Sequence, residues 1–238
     1  MGRRSISDIN FDGGCTRCPR LVKYLRQTRA KYSDYHAAPV PPFGDPTGRL
    51  LIIGLAPGLH GANATGRPFT GDHAGIMLYD TLYRFGLSNK PQSTMGDDLL
   101  LSNCRITNAI KCVPPGNKPD LEEILNCNPY LRTEIRSLTN GSVLLALGKI
   151  AHDAILRSLG LPLVEVKFTH GAEHKFVKHD LWLVDSYHCS RYNTQTGRLT
   201  AAMFLSLIHI SETTRPLYIS YSVFCLKKKR GGGGGGGG

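Results

Sequence analysis

Apolar residues fall into two alternating patterns along this chain. Short unbroken apolar runs occupy residues 50–55 and 143–148, the second opened by Ser142, and apolar-rich stretches lie at 105–110 and 181–184, with Gly, Pro, Asn or charged residues around them. Runs of that length with such boundaries predict strands buried on both faces. Between them apolar residues recur at helical spacing. Leu21, Val22 and Leu25 predict a helix within 15–32, opened by Pro19 near its first turn. Ile76, Met77, Tyr79, Leu82 and Tyr83 predict a helix over 73–85, and Leu121, Ile124, Leu125, Leu131, Ile135 and Leu138 another over 120–138. A further helix is expected over 149–159, and a small hairpin or edge pair within 164–177.

Strand–helix alternation of this kind predicts an α/β fold: a three-layer αβα sandwich around a central, mainly parallel four-stranded sheet. Ligands of open α/β sheets bind beyond the carboxyl ends of the strands. The segments after Leu55, Ile110 and Val184, the most unusual in composition, are all expected at that edge, around one pocket.

Composition narrows the picture only in part. With 238 residues, 41% of them hydrophobic and 20% charged, the chain can bury one substantial domain. It holds no apolar stretch long enough to span a bilayer and no apolar core of a signal peptide near Met1, so a cytoplasmic monomer without membrane contact is expected. The formal charge of +11 needs a correction, because residues 206–238 carry five basic residues against one acid and leave +7 on the first 205. A basic balance admits a polyanionic partner without demanding one. The tail changes character abruptly: a Lys-Lys-Lys-Arg run passes into eight glycines, as homopolymer read-through at the DNA level would give, and residues 206–211 resemble a translated library adapter. The expected division is therefore a domain over 1–205 and a non-native, disordered tail over 206–238.

Seven cysteines in such a chain point to metal or redox chemistry rather than disulfides. Cys15-x2-Cys18, with Cys112 and Cys127, offers four thiolates, and spacing alone suits structural zinc and iron–sulfur equally. Residues 54–72 form a Gly-rich loop that lacks the Gly-Lys-Ser/Thr of a phosphate loop. Instead it carries Phe69 and Asp72, an aromatic and a carboxylate that suit a flat ring and a developing positive charge.

Gly54-Leu55-Ala56-Pro57-Gly58 followed by Thr65-Gly66-Arg67-Pro68-Phe69-Thr70-Gly71-Asp72 resembles the first motif of the uracil-DNA glycosylase superfamily, in the form of its iron–sulfur branch, family 5 or type B. Tyr187-His188-Cys189-Ser190-Arg191-Tyr192-Asn193 is similar to that branch's second motif. Thr107-Asn108-Ala109-Ile110-Lys111-Cys112 is similar to the strand end carrying an asparagine and a cluster cysteine. The resemblance implies hydrolysis of the N-glycosidic bond of uracil, and of other deaminated bases such as hypoxanthine, in DNA. It also implies a 4Fe–4S cluster on Cys15, Cys18, Cys112 and Cys127 with a structural role.

Catalysis then falls to Asp72, stabilising a sugar cation and handling water, and to His188, hydrogen-bonding the base as negative charge develops. Phe69, Asn108, Gly54 and Ala56 would hold the flipped base. Arg67, Lys111, Ser190, Arg191, Asn193 and Arg198 would meet DNA. Two departures stand out: Cys189 where proline is common, and Ala64 where relatives are often basic. Two other readings fit the same pattern, an iron–sulfur nucleic-acid-binding protein without glycosylase activity and a small-molecule nucleoside hydrolase.

Overall fold

The computed structural model describes residues 11–213, with side chains to His209. In chain order its elements are α1 (Pro19–Lys31), β1 (Phe43–Gly44), β2 (Leu50–Gly54), α2 (Ala62–Thr65), α3 (His73–Arg84), β3 (Cys104–Asn108), α4 (Leu121–Arg136), β4 (Ser142–Leu147), α5 (Lys149–Leu159), β5 (Glu173–Phe176), β6 (Leu181–Ser186), α6 (Arg191–Gln195) and α7 (Ala201–Thr213). The four expected strands form the parallel centre in the order β3-β2-β4-β6, and the sheet is wider than expected. Antiparallel β1 adds to one edge through Phe43 and Ile106, and antiparallel β5 to the other through His174 and Leu183. β1 is two residues long in a Pro-rich stretch, so only pairing with β3 makes it a strand. β5 arises from the stretch expected to hold an edge pair, and its partner is β6.

Alternation along the buried strands assigns the layers. Leu50 and Ile52 face one side with Ile106 and Leu145, where Leu78, Tyr79 and Leu82 of α3 and Phe204, Leu207 and Ile208 of α7 cover them. Leu51 and Ile53 face the other side with Leu144 and Leu183, under Leu131 and Ile135 of α4 and Ala154, Ile155 and Leu156 of α5. The three-layer αβα architecture follows from strands buried on both faces. The helical stripes are narrower than their apolar patterns predict. Ile76 (60% exposed) and Tyr83 on α3, and Leu121 and Leu125 on α4, stand in solvent because their helices turn only one face to the sheet.

Helix α7 corrects the expected boundary at 205. It runs to Thr213, and Leu207 and Ile208 are buried in the core beside the sheet, so the folded unit passes through the proposed junction. The remainder of the expected tail, with Cys225, lies outside the described residues. Among the described residues no helix is long and apolar enough to cross a membrane.

Candidate active site

Gly54 and Asn108 end neighbouring parallel strands and stand side by side in register. A Cβ on Gly54 would lie 2.5 Å from Asn108 Oδ1 and 2.7 Å from Phe69 Cζ. Only glycine lets the carboxamide and the ring converge over the strand end. Phe69 is itself held at φ 55, a left-handed conformation that costs a non-glycine residue about 1–2 kcal/mol. The surroundings enforce it. Tyr79 Oη donates to Pro68 O at 2.8 Å, and the Phe69 carbonyl occupies the space where a Cβ on Gly75 would lie, 1.8 Å away.

Asp72 caps helix α3, its Oδ1 accepting from Gly75 N at 2.9 Å. Its other oxygen points toward the glycine loop, where a Cβ on Gly61 would approach Oδ2 to 2.9 Å. Burial pushes the Asp72 carboxyl above its ordinary range, more strongly than the Gly75 and Ala74 amides pull it down. His188 follows β6 and lies against Phe69, ring centroids 5.8 Å apart and planes 29° apart. Burial lowers its pKa to about 4, so the imidazole is neutral at physiological pH. Asn193 Nδ2 donates to His188 O at 2.8 Å, and Ser190 caps α6.

Phe69, Asp72, Asn108, His188, Leu55 and Ala56 line one cavity of ≈ 350 Å³, with Ser190 and Arg191 at its rim. That volume is at the small end for ligand sites and suits a nucleobase with its sugar. The lining brings an aromatic face, a carboxamide, a carboxylate and an imidazole to one space. Cys189, in place of a motif proline, is fully buried in the core, and burial pushes its thiol up to about 12; it is a packing residue.

Cys15, Cys18, Cys112 and Cys127 line a second, smaller space between α1, the segment after β3 and α4. Burial pushes the Cys112 thiol up to about 12, reinforced by repulsion from the other three. Burial likewise carries Cys127 to about 11, against the pull of the Lys111 cation. The four thiols line one space, although among the described residues no three His, Cys, Asp or Glu side chains stand in ready metal-binding geometry. Four soft donors with no imidazole suit an iron–sulfur cluster or zinc, and bound metal would reverse the penalty on the thiolates.

The basic residues divide. Lys111 is buried, its Nζ bonded to Thr107 and to Glu134 on α4, so it faces the interior rather than a phosphate. Arg67 is held by Asp97 and by Ser93 Oγ at 3.0 Å, with its guanidinium 4.5 Å over the Phe43 ring. Both of these expected phosphate contacts are neutralised by a carboxylate distant in sequence. Arg191 and Arg198 remain exposed, and Arg198 lies 4.2 Å over Tyr187, which stacks on His170 at 4.7 Å. Ser190 and Asn193 serve the local turn that presents His188. The motif reading missed Gly61 and Gly75, which make room for Asp72 and Phe69, and the segment 92–98 that Arg67 holds. Capping alone could not have pointed to Gly75, since any residue but proline supplies that amide; the close Phe69 carbonyl is what requires glycine.

Residues 41–210 match the family model described as Uracil DNA glycosylase superfamily. The chain belongs to that superfamily. Relatives place it within the type-5 group of these glycosylases. It is 47% identical over 199 residues to a type-5 uracil-DNA glycosylase of Thermus thermophilus, covering 82% of this chain and 90% of that one. The type-5 uracil-DNA glycosylase of Pyrobaculum aerophilum is 43% identical over 81% of this chain and 85% of its own. That of Mycobacterium leprae is 41% identical over 85% and 92%. In glycosylase terms, the first and second motifs are the loops that bring Phe69, Asp72 and His188 to the strand ends.

Proposed function

We propose that this chain removes uracil from DNA by hydrolysing its N-glycosidic bond, leaving an abasic site, and that it accepts hypoxanthine by the same contacts. The observation that carries this reading is the convergence of Phe69, Asn108, Asp72 and His188 on one cavity. A flipped base stacks on Phe69 and meets the Asn108 carboxamide, which donates to O4 and accepts from N3–H of uracil. Hypoxanthine presents the same acceptor–donor pair at O6 and N1–H. Neutral His188 donates to O2 as the departing pyrimidine gains negative charge.

Asp72 serves the sugar. The residues Ala56-Pro57-Gly58 carry no polar side chain, which leaves water handling to its carboxylate. As the C1′–N1 bond breaks, the anionic form stabilises the cationic sugar and orients water toward C1′. Burial makes this carboxylate more basic than usual, which helps it take the proton that the attacking water loses. That proton then neutralises the released base.

Cys15, Cys18, Cys112 and Cys127 would hold a 4Fe–4S cluster, in keeping with the four-thiol donor set. Bound there, the cluster would supply a rigid cross-link between the N-terminal segment and the loop after Asn108. The chain would act as a cytoplasmic monomer, with Arg191, Arg198, Ser190 and Asn193 near the DNA.

The test is a panel of oligonucleotides each carrying one deaminated base, assayed for abasic-site formation, with free deoxyuridine alongside. Uracil release from DNA is expected. Release from deoxyuridine alone would favour a nucleoside hydrolase, and binding without release would favour a non-catalytic role. Anaerobic protein without a visible cluster band and without iron would remove the cluster.

A further inference from the structure

A second cavity, of ≈ 400 Å³, adjoins the base pocket and shares Phe69, Asp72, His73 and Arg191 with it. Its far wall is the segment 92–94, which belongs to no motif in the sequence. That wall is built rather than loose. Ser93 Oγ bonds Thr70 Oγ1 at 2.7 Å and accepts from Arg67 Nη1 at 3.0 Å. Asp97 accepts from Thr94 N and Leu99 N while pairing with Arg67. The motif arginine expected to meet DNA therefore holds this segment through Ser93 and Asp97. Among the residues lining the second cavity Asp72 is the one carboxylate, and the exposed Gln92 carboxamide and Arg191 guanidinium flank the opening.

Chain continuity decides what occupies it. A nucleotide whose base and sugar enter the first cavity stays tethered through a phosphate on each side, and both strands of backbone must leave past the rim. Asp72, the group placed beside the sugar, stands on the wall common to the two cavities. The second space offers one of the tethers a way out past this wall, with Arg191 at the same boundary. Gln, Ser, Thr and Arg side chains are the ordinary partners of phosphodiesters in such contacts.

We infer that segment 92–94, with Arg191 opposite, is a seat for the sugar–phosphate backbone flanking the flipped nucleotide on the damaged strand. This rests on the base-release reading above. Gln92→Glu places a negative charge at the seat, and Gln92→Lys a positive one. Asn140→Asp, in the exposed turn before β4 at the opposite edge of the sheet, controls for a general change of charge.

The assay measures KM for release and affinity by fluorescence anisotropy in the full chain, with single-stranded and duplex uracil oligonucleotides. Gln92→Glu should weaken both measures about fivefold or more on both substrates, with the loss shrinking as salt is raised. Gln92→Lys should tighten binding and steepen its salt dependence. Values for Gln92→Glu no different from Asn140→Asp would overturn the seat, and a loss confined to the duplex would overturn its assignment to the damaged strand. Anisotropy reads the seat whether or not uracil is released, so failure of the inference and failure of the base-release reading are distinguishable.

Discussion

The proposed mechanism gives Asp72 a task in catalysis beside its place as the cap of α3, and substitution can separate the two. Replacing it with Asn keeps an oxygen that accepts from the Gly75 amide now bonded at 2.9 Å, while removing the charge. Asn and Asp are nearly equal as caps, so the helix should lose little. Moreover, burial disfavours the ionised form of this carboxyl, so the neutral amide should leave stability unchanged or raise it. Asp72→Ala removes the cap as well and should cost about 1 kcal/mol. In a domain of this size that corresponds to a fall in Tm of about 2–4 °C. On the proposed mechanism both variants lose the preorganised charge facing the sugar, which should lower kcat for uracil release by about 10²–10³-fold. Single-turnover release from a uracil duplex, paired with thermal melting, reads the two effects separately. If Asp72→Asn released uracil within about threefold of the native rate, the catalytic assignment would be refuted. If its loss in Tm matched that of Asp72→Ala, the capping argument would be refuted.

Three other outcomes follow from the geometry. Gly54→Ala puts a methyl group into Asn108 and Phe69 together, so it should lower stability by about 1–3 kcal/mol and kcat/KM on a uracil duplex by about 10²-fold; near-native melting and turnover would show that the two groups do not converge there. The proposed mechanism needs Asp72 ionised and His188 neutral, so kcat/KM should hold across neutral pH and fall only on acidification; a limb near 6.5 lost in His188→Gln would show that His188 titrates like an exposed histidine. His152 faces two acceptors, Asp185 Oδ1 at 2.8 Å and Val166 O at 3.0 Å. Burial opposes its protonation, but the Asp185 carboxylate outweighs that and raises its pKa. Its contribution to stability should be complete below about pH 6.5 and fade as pH rises through the raised value. Melting curves taken across that range should show the decline in the native chain and not in His152→Gln.

Much of the site was legible along the chain because its constraints are local. Gly54, Phe69 and Asp72 lie within one short stretch, and the glycine at the strand end and the helix cap leave residue types that can be read in order, whereas the left-handed turn at Phe69 does not. Strands β2 and β4 announce themselves because burial on both faces favours nearly continuous apolar runs. Thiol spacing alone does not separate iron from zinc, so the 4Fe–4S expectation for the four cysteines came from the family resemblance.

Only tertiary structure decided the rest. Arg67 and Lys111 both sit in motifs rich in DNA-contact types, yet each is claimed by an acid thirty or twenty-three residues away in sequence, Asp97 and Glu134. β1 is a strand because β3 lies beside it, and Leu207 and Ile208 are core because α7 packs beside α3. A residue's type is written in the chain, and so is the local turn that needs it. The partner of a long charged side chain, and which face of a helix meets the sheet, are set by segments that come together only when the chain folds.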